Sequence, residues 1–137
     1  MYRYDKFEAG AMLTELARCE GKPYIWMSPQ GWTWDVNSVS QRYTLFKKHR
    51  CCAVCGIEGT IMALESHKKH SRPHFNMYAI SNGHEILMTK DHIKPKSKGG
   101  SNNMKNYQTM CEQCNTRKGN RDITIEELRK EMSHANR

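Results

Sequence analysis

The stretch "LMTKDHIKPKSKGGSNNMKNYQTMCEQCNTRKGN", residues 87–120, decides how this chain is read. It is too polar to form a core and too varied in residue type to be a simple linker. Just before it, Asn82-Gly83 separates two alternating segments, the signature of a hairpin with a type I′ turn. The pattern predicts strands over about residues 75–80 and 84–90, so the returning strand ends on Asp91-His92. Pro95 and Gly99-Gly100 then stop regular structure. After residue 115, "NTRKGNR" suits a short helix. The stretch therefore reads as a strand end, a glycine-rich loop and a helix start.

The chain has two Cys-x2-Cys pairs, Cys52/Cys55 before this stretch and Cys111/Cys114 within it. Each pair turns two thiolates toward one point, and two pairs complete a tetrahedral Zn²⁺ site. Disulfides, a redox Cys-x-x-Cys and free thiols are the competing readings. In the reducing compartment expected for this chain, metal is favoured over disulfides. The long gap between the pairs suits a staple that ties the ends of a module better than a base-reading finger. Cys51 adjoins Cys52 and makes the register ambiguous. Cys52 is preferred because its spacing to Cys55 matches the second pair, and Cys51 and Cys19 are read as ordinary cysteines. Structural zinc contributes on the order of 10 kcal/mol to folding, which suits a chain only 37% hydrophobic.

The chemistry follows from what phosphodiester hydrolysis needs. A base must activate water, and a divalent cation must neutralise the phosphate and the leaving oxygen. A hard cation such as Mg²⁺ wants oxygen ligands and keeps several waters. Asp91 offers a carboxylate oxygen and Asn115 an amide oxygen. An unperturbed imidazole titrates at about 6.5, close to ideal for a base at neutral pH, and His92 supplies one. Neighbours on a strand face opposite ways, so Asp91 and His92 reach one site only if the strand ends or twists there.

Asp91-His92-Ile93, Pro95, Ser97, Gly99-Gly100, Asn106-Tyr107-Gln108, Cys111-x2-Cys114-Asn115 and Lys118 together resemble the HNH nuclease family in its zinc-stapled form. The resemblance covers residues 52 to about 121, with a long insertion between Cys55 and the catalytic strand. It implies an α+β fold with a ββα-metal core and a four-cysteine structural zinc. It also implies that His92 is the general base and Asn106 a structural asparagine bracing the loop that holds the histidine. Asp91 and Asn115 would hold the catalytic Mg²⁺ or Mn²⁺. Asparagine at the last motif position, where many members carry histidine, is a common variant that favours a harder metal. Products would carry 5′-phosphate and 3′-hydroxyl ends.

The charge balance agrees. The chain has 137 residues, 22 Lys+Arg against 14 Asp+Glu, and a net charge of +8, which favours a polyanionic partner such as DNA. Candidate phosphate contacts are Lys47, Lys48, Lys68, Lys69, Arg72, Lys94, Lys96, Lys98, Arg117 and Lys118, the last one helical turn after Asn115. No apolar run approaches the roughly 20 residues of a membrane span. The start, "MYRYDKFEAG", lacks a signal-peptide layout, so a cytoplasmic protein is expected.

The rest of the chain reads as two parts. Residues 1–50 are expected to be an extension of helix, tryptophan-rich hairpin and helix. Asp5 and Glu8 would open the first helix as a capping box, with Phe7, Leu13 and Leu16 on its apolar face and its end near Gly21. The hairpin covers 24–34, where Trp26, Trp32 and Trp34 are read as packing residues. The second helix covers 37–48, with Val39, Tyr43 and Phe46 on one side. Residues 51–137 would form the nuclease module. Within it, 56–74 is expected to be a polar loop whose His67, His70 and His74 lie on a basic surface. "TIEE" at 124–127 caps a last helix to about residue 134. A metal-dependent DNA endonuclease is the function expected, of phage, mobile-element or restriction type. A non-catalytic zinc module that binds nucleic acid is the alternative. One such site cuts one strand, so a double-strand break needs a homodimer or two visits.

Overall fold

Asn82 and Gly83 both take positive φ, 50° and 77°, as a type I′ turn demands. They join two long antiparallel strands as the sequence predicts. The computed structural model describes residues 1–135. Its elements in order are β1 (Tyr2–Glu8), α1 (Ala9–Arg18), β2 (Tyr24–Met27), β3 (Thr33–Val36), α2 (Gln41–Lys48), β4 (Gly59–Ser66), β5 (His74–Ser81), β6 (His84–His92), β7 (Tyr107–Cys111), α3 (Glu112–Lys118) and α4 (Ile125–Ala135). The fold is mixed α+β. One antiparallel sheet runs β1-β4-β5-β6-β7, and β2 and β3 make a separate hairpin.

Three readings of the chain are corrected. Residues 2–8 form a strand, not the start of a helix. "YRYDKFE" alternates and pairs with β4 from Tyr2↔Ser66 to Glu8↔Ile61. Glu8 is itself the cap of α1, accepting from the Gly10 and Ala11 amides at 3.0 and 2.6 Å, while Asp5 accepts from the Trp26 indole N–H at 2.9 Å. The supposed polar loop over 56–74 also contains a strand, β4. Its Met62 and Leu64 face the core, and Glu65 on the other face is buried by Arg3, Asn76 and Tyr78. Only residues 67–73 remain a loop between strands. α2 also begins later than expected, at Gln41 after a Ser40 cap, which leaves Val39 exposed outside it. The "TIEE" capping box forms as read, with reciprocal Thr124 and Glu127 bonds.

The core lies between the sheet and the helices. Ala9, Met12, Leu13 and Leu16 of α1 pack with Phe46 of α2 over Met62, Leu64, Phe75 and Met77. Methionine is prominent here and fills irregular space. Segments on both sides of residue 50 thus share one sheet and one core.

One seam in the sheet positions the site. β6 pairs with β5 only from Ser81↔His84 to Tyr78↔Leu87, then leaves it and pairs with β7 from Met88↔Cys111 to His92↔Tyr107. The first half of β5 therefore loses a neighbour on that side, and unpaired backbone is costly when buried. α2 compensates. The Phe75 N–H donates to the Tyr43 hydroxyl at 3.1 Å, and its carbonyl accepts from Arg42.

Candidate active site and metal centre

β6 ends on Asp91 and His92, and a tight loop follows. Gly100 closes it: a Cβ there would lie 1.8 Å from the Lys94 carbonyl oxygen. Asn106 fastens the same loop from inside. Its Oδ1 accepts from the Lys94 amide at 2.9 Å, and its Nδ2 donates to the Lys94 and Ser101 carbonyls at 3.1 and 2.9 Å. Its backbone carbonyl accepts from Ile93 N–H at 2.7 Å. One asparagine thus ties both ends of the loop after His92.

The His92 ring lies edge-on to Tyr107, centroids 4.9 Å apart, with Nε2 3.0 Å from Asn102 Oδ1. Asp91 is buried. Its Oδ2 accepts from Gln108 Nε2 and from Lys118 Nζ, both at 3.0 Å. Asn115, in α3, donates from Nδ2 to the Thr89 hydroxyl at 2.8 Å, and that hydroxyl donates to the Met110 carbonyl. Asp91 Oδ1 and Asn115 Oδ1 accept no hydrogen bond among the described residues. Both residues line one open cleft of about 320 Å³ with His92, Lys90, Pro95, Lys96, Ser97, Lys118 and the Gly119-Asn120 turn. Two hard oxygens at one cleft, beside an imidazole, fit a hard divalent cation that keeps water ligands.

The basic candidates divide by position. Lys96 lines the cleft. Lys94 and Lys98 are exposed on the adjacent loop, and Arg117 is exposed on α3. Lys47 and Lys48 are exposed at the end of α2, and Lys68, Lys69 and Arg72 on the 67–73 loop. Lys118 departs from the expectation of a phosphate contact. Its side chain is only 1% exposed, and its ammonium sits on Asp91 Oδ2 and, at 2.7 Å, on the His92 carbonyl. A lysine three residues after Asn115 shares its helix face, and that face packs against β6. Thr89, Lys90 and Asn102 are site residues that the sequence reading does not single out, and Gln108 stands in the quoted pattern without a role. Gln108 is the direct cross-strand partner of Asp91, a relation visible only once the β6–β7 register is known. Lys90 places its ammonium 4.2 Å from the Tyr107 ring centroid and donates to Gln41 Oε1 of α2.

At the other end of β7 and α3, the Sγ atoms of Cys52, Cys55, Cys111 and Cys114 all lie within 4.8 Å of one another. Cys51 stands outside this group, exposed and bridged to Glu58. Tetrahedral zinc with Zn–S of about 2.3 Å sets its sulfurs roughly 3.8 Å apart, and Cys55 and Cys111 are 3.8 Å apart. Such a thiol cluster cannot ionise freely. A hydrogen bond from Cys111 brings Cys52 down to about 4, and the same bond pushes Cys111 far up. Burial pushes Cys114 up to about 12. Mutual repulsion of thiolates is what a divalent cation relieves, so the four cysteines can hold a metal such as zinc. Arg129 of α4 steadies the knuckle by donating to the Ala53 and Val54 carbonyls. His67, His70 and His74 join no metal-binding group among the described residues.

Comparison with known families matches residues 82–131 to the HNH endonuclease model. No curated protein and no solved structure matches. The matched segment starts at the β5–β6 turn and ends in α4. It contains the cleft residues, Cys111 and Cys114, and leaves Cys52 and Cys55 outside. Over this segment, which is less than half of the chain, the sequence is similar to the HNH endonuclease family.

Proposed function

We propose that this protein is a metal-dependent DNA endonuclease that hydrolyses phosphodiester bonds with a single divalent metal ion, leaving 5′-phosphate and 3′-hydroxyl ends. The family match over residues 82–131 supports nuclease activity in general and DNA as the substrate. No helix among the described residues is long and apolar enough to cross a membrane. The observation that carries the finer reading is the shared cleft of Asp91, His92 and Asn115. In this reading β6, β7 and α3 form the ββα-metal core.

A Mg²⁺ or Mn²⁺ ion held by Asp91 and Asn115 would neutralise charge on the phosphate and the leaving 3′ oxygen. The remaining work falls to the chain. With Asn102 Oδ1 as acceptor, His92 Nε2 carries the ring proton, and Nδ1 keeps the lone pair that takes a proton from the attacking water. Asn106 holds the loop beyond His92, so the ring starts from one position. Lys94, Lys96 and Lys98 flank the cleft and suit the phosphates beside the cut, while Lys47, Lys48, Lys68, Lys69, Arg72 and Arg117 suit more distant backbone. Structural Zn²⁺ on the four cysteines would fix the start of α3, and with it Asn115.

The test is plasmid nicking with Mg²⁺ or Mn²⁺. Removing a general base costs about 10²- to 10⁴-fold, so His92→Ala should lose at least the lower figure while its melting curve stays unchanged. Equal cutting by the variant would remove His92 as base. A wild-type protein that never cuts DNA with either ion would favour the binding-module alternative.

A further inference from the structure

Lysine is among the residues least often fully buried, and a buried ammonium is tolerated only when paired and hydrogen-bonded. Lys118 is the one lysine buried among the described residues, and it is buried at one carboxylate. Its ammonium and the Gln108 amide approach the same oxygen, Asp91 Oδ2, each at 3.0 Å. The ammonium also takes the His92 carbonyl. One side chain thus tethers two adjacent residues that strand geometry would send apart. The second oxygen, Asp91 Oδ1, is left to the cleft.

We propose that Lys118 and Gln108 are positioning residues for the metal ligand, with opposite effects on its affinity for the ion. Lys118 is a resident counter-cation. It neutralises Asp91 while no divalent ion is bound, and it repels that ion once it arrives. Gln108 carries no charge and only aims the carboxylate, so that Asp91 presents Oδ1 alone. The inference rests on the reading of Asp91 as a ligand given above.

Opposite signs make it testable. Lys118→Met keeps most of the buried volume and removes the positive charge 3.0 Å from Asp91 Oδ2. Mn²⁺ should then bind more tightly, by roughly tenfold as an order-of-magnitude expectation for a close, partly buried charge. The melting temperature in ion-free buffer should fall, and Mn²⁺ should restore more of it than it adds to the wild type. Gln108→Leu removes orientation without charge, and Mn²⁺ should bind roughly tenfold more weakly, as for other groups that orient a ligand. The full chain is used at pH 7.5, with zinc content shown equal in all three proteins. Free Mn²⁺ is counted by its electron paramagnetic resonance signal.

Two variants that both bind Mn²⁺ more weakly, or both bind it as the wild type does, would overturn the inference and leave Asp91 a ligand. A wild type that binds no Mn²⁺ would overturn the ligand reading and this inference with it. If Lys118→Met does not fold, Gln108→Leu decides: unchanged Mn²⁺ affinity overturns the proposal.

Discussion

At the scale of single residues, the site depends on where β6 stops. Asp91 belongs to the strand, held by its cross-strand partner Gln108. His92 is the last residue of that strand, and its ring turns to Asn102 and Tyr107. Asn102 is the residue to test. Asn102→Ala leaves Nε2 without its acceptor and lets the proton sit on either ring nitrogen. Nicking at saturating Mn²⁺ should slow by roughly tenfold, less than the loss from His92→Ala, because under the proposed role of His92 only the base's preparation is impaired. An unchanged rate would separate Asn102 from the base. Asp91, His92, Asn106 and Asn115 were legible in the sequence because their order along the chain carries the resemblance. The contacts of Gln108, Thr89 and Asn102 were not, because each is made with a partner in another part of the chain. Lys118 was legible as a position and misread as a role. In a chain with net charge +8 a lysine reads as solvent-facing, and only packing of α3 on β6 reverses that.

At the scale of elements, the local parts were the readable ones. The Asn82-Gly83 turn, the strand after it, a short helix (read from residue 115, found over Glu112–Lys118) and the capped last helix depend on nearby residues. β1 and β4 escaped because each is completed by a strand more than fifty positions away; the apolar Ile61–Leu64 run was the available sign. The seam between β5 and β6 makes α2 a structural partner of the site strands. Arg42→Met removes a charged donor from the Phe75 carbonyl and from Asn76. Losing such a bond costs about 1.5–3 kcal/mol, which a urea titration should register as a lower midpoint. No shift would mean that water replaces the guanidinium without loss. In the loop beyond His92, Gly100→Ala drives a methyl into the Lys94 carbonyl. It should abolish nicking while the far-ultraviolet circular dichroism stays native. Full activity would show that the loop can re-form around the added carbon.

For the whole molecule, the thiol cluster and the buried carboxylate network are two polar centres whose part in stability can be tested. Cys114→Ser removes one of the four candidate ligands where the cluster meets α3. The variant should lose zinc by elemental analysis and unfold or precipitate, since structural zinc supplies on the order of 10 kcal/mol; a well-folded zinc-free variant would count against the staple. Across the sheet, Glu65 is buried, which by itself opposes ionisation. Hydrogen bonds from Asn76, Tyr78 and Arg3 outweigh this and hold its carboxyl below the usual range. A depressed carboxyl stabilises the fold above its unfolded pKa of about 4.3, and that contribution disappears as pH falls through the lower folded value. Wild-type melting temperature should therefore drop as pH falls from about 5 toward 3, and Glu65→Gln should start lower at pH 7 and decline less steeply. Parallel curves would exclude Glu65 as a source of acid sensitivity. None of this network was legible in the sequence, because Arg3, Glu65 and Glu85 meet only once β1, β4 and β6 share a sheet.

The way α2 seals the seam also sets what can be moved into another protein. A fragment cut to residues 82–131 would carry every cleft oxygen and the imidazole. It would arrive with half its thiolates, without β5, and with the Gln41 side chain gone from Lys90 and from the Asn102 carbonyl. A fusion built to deliver this cleft to chosen DNA should therefore transplant the chain from its first strand, with the new domain joined at the far end.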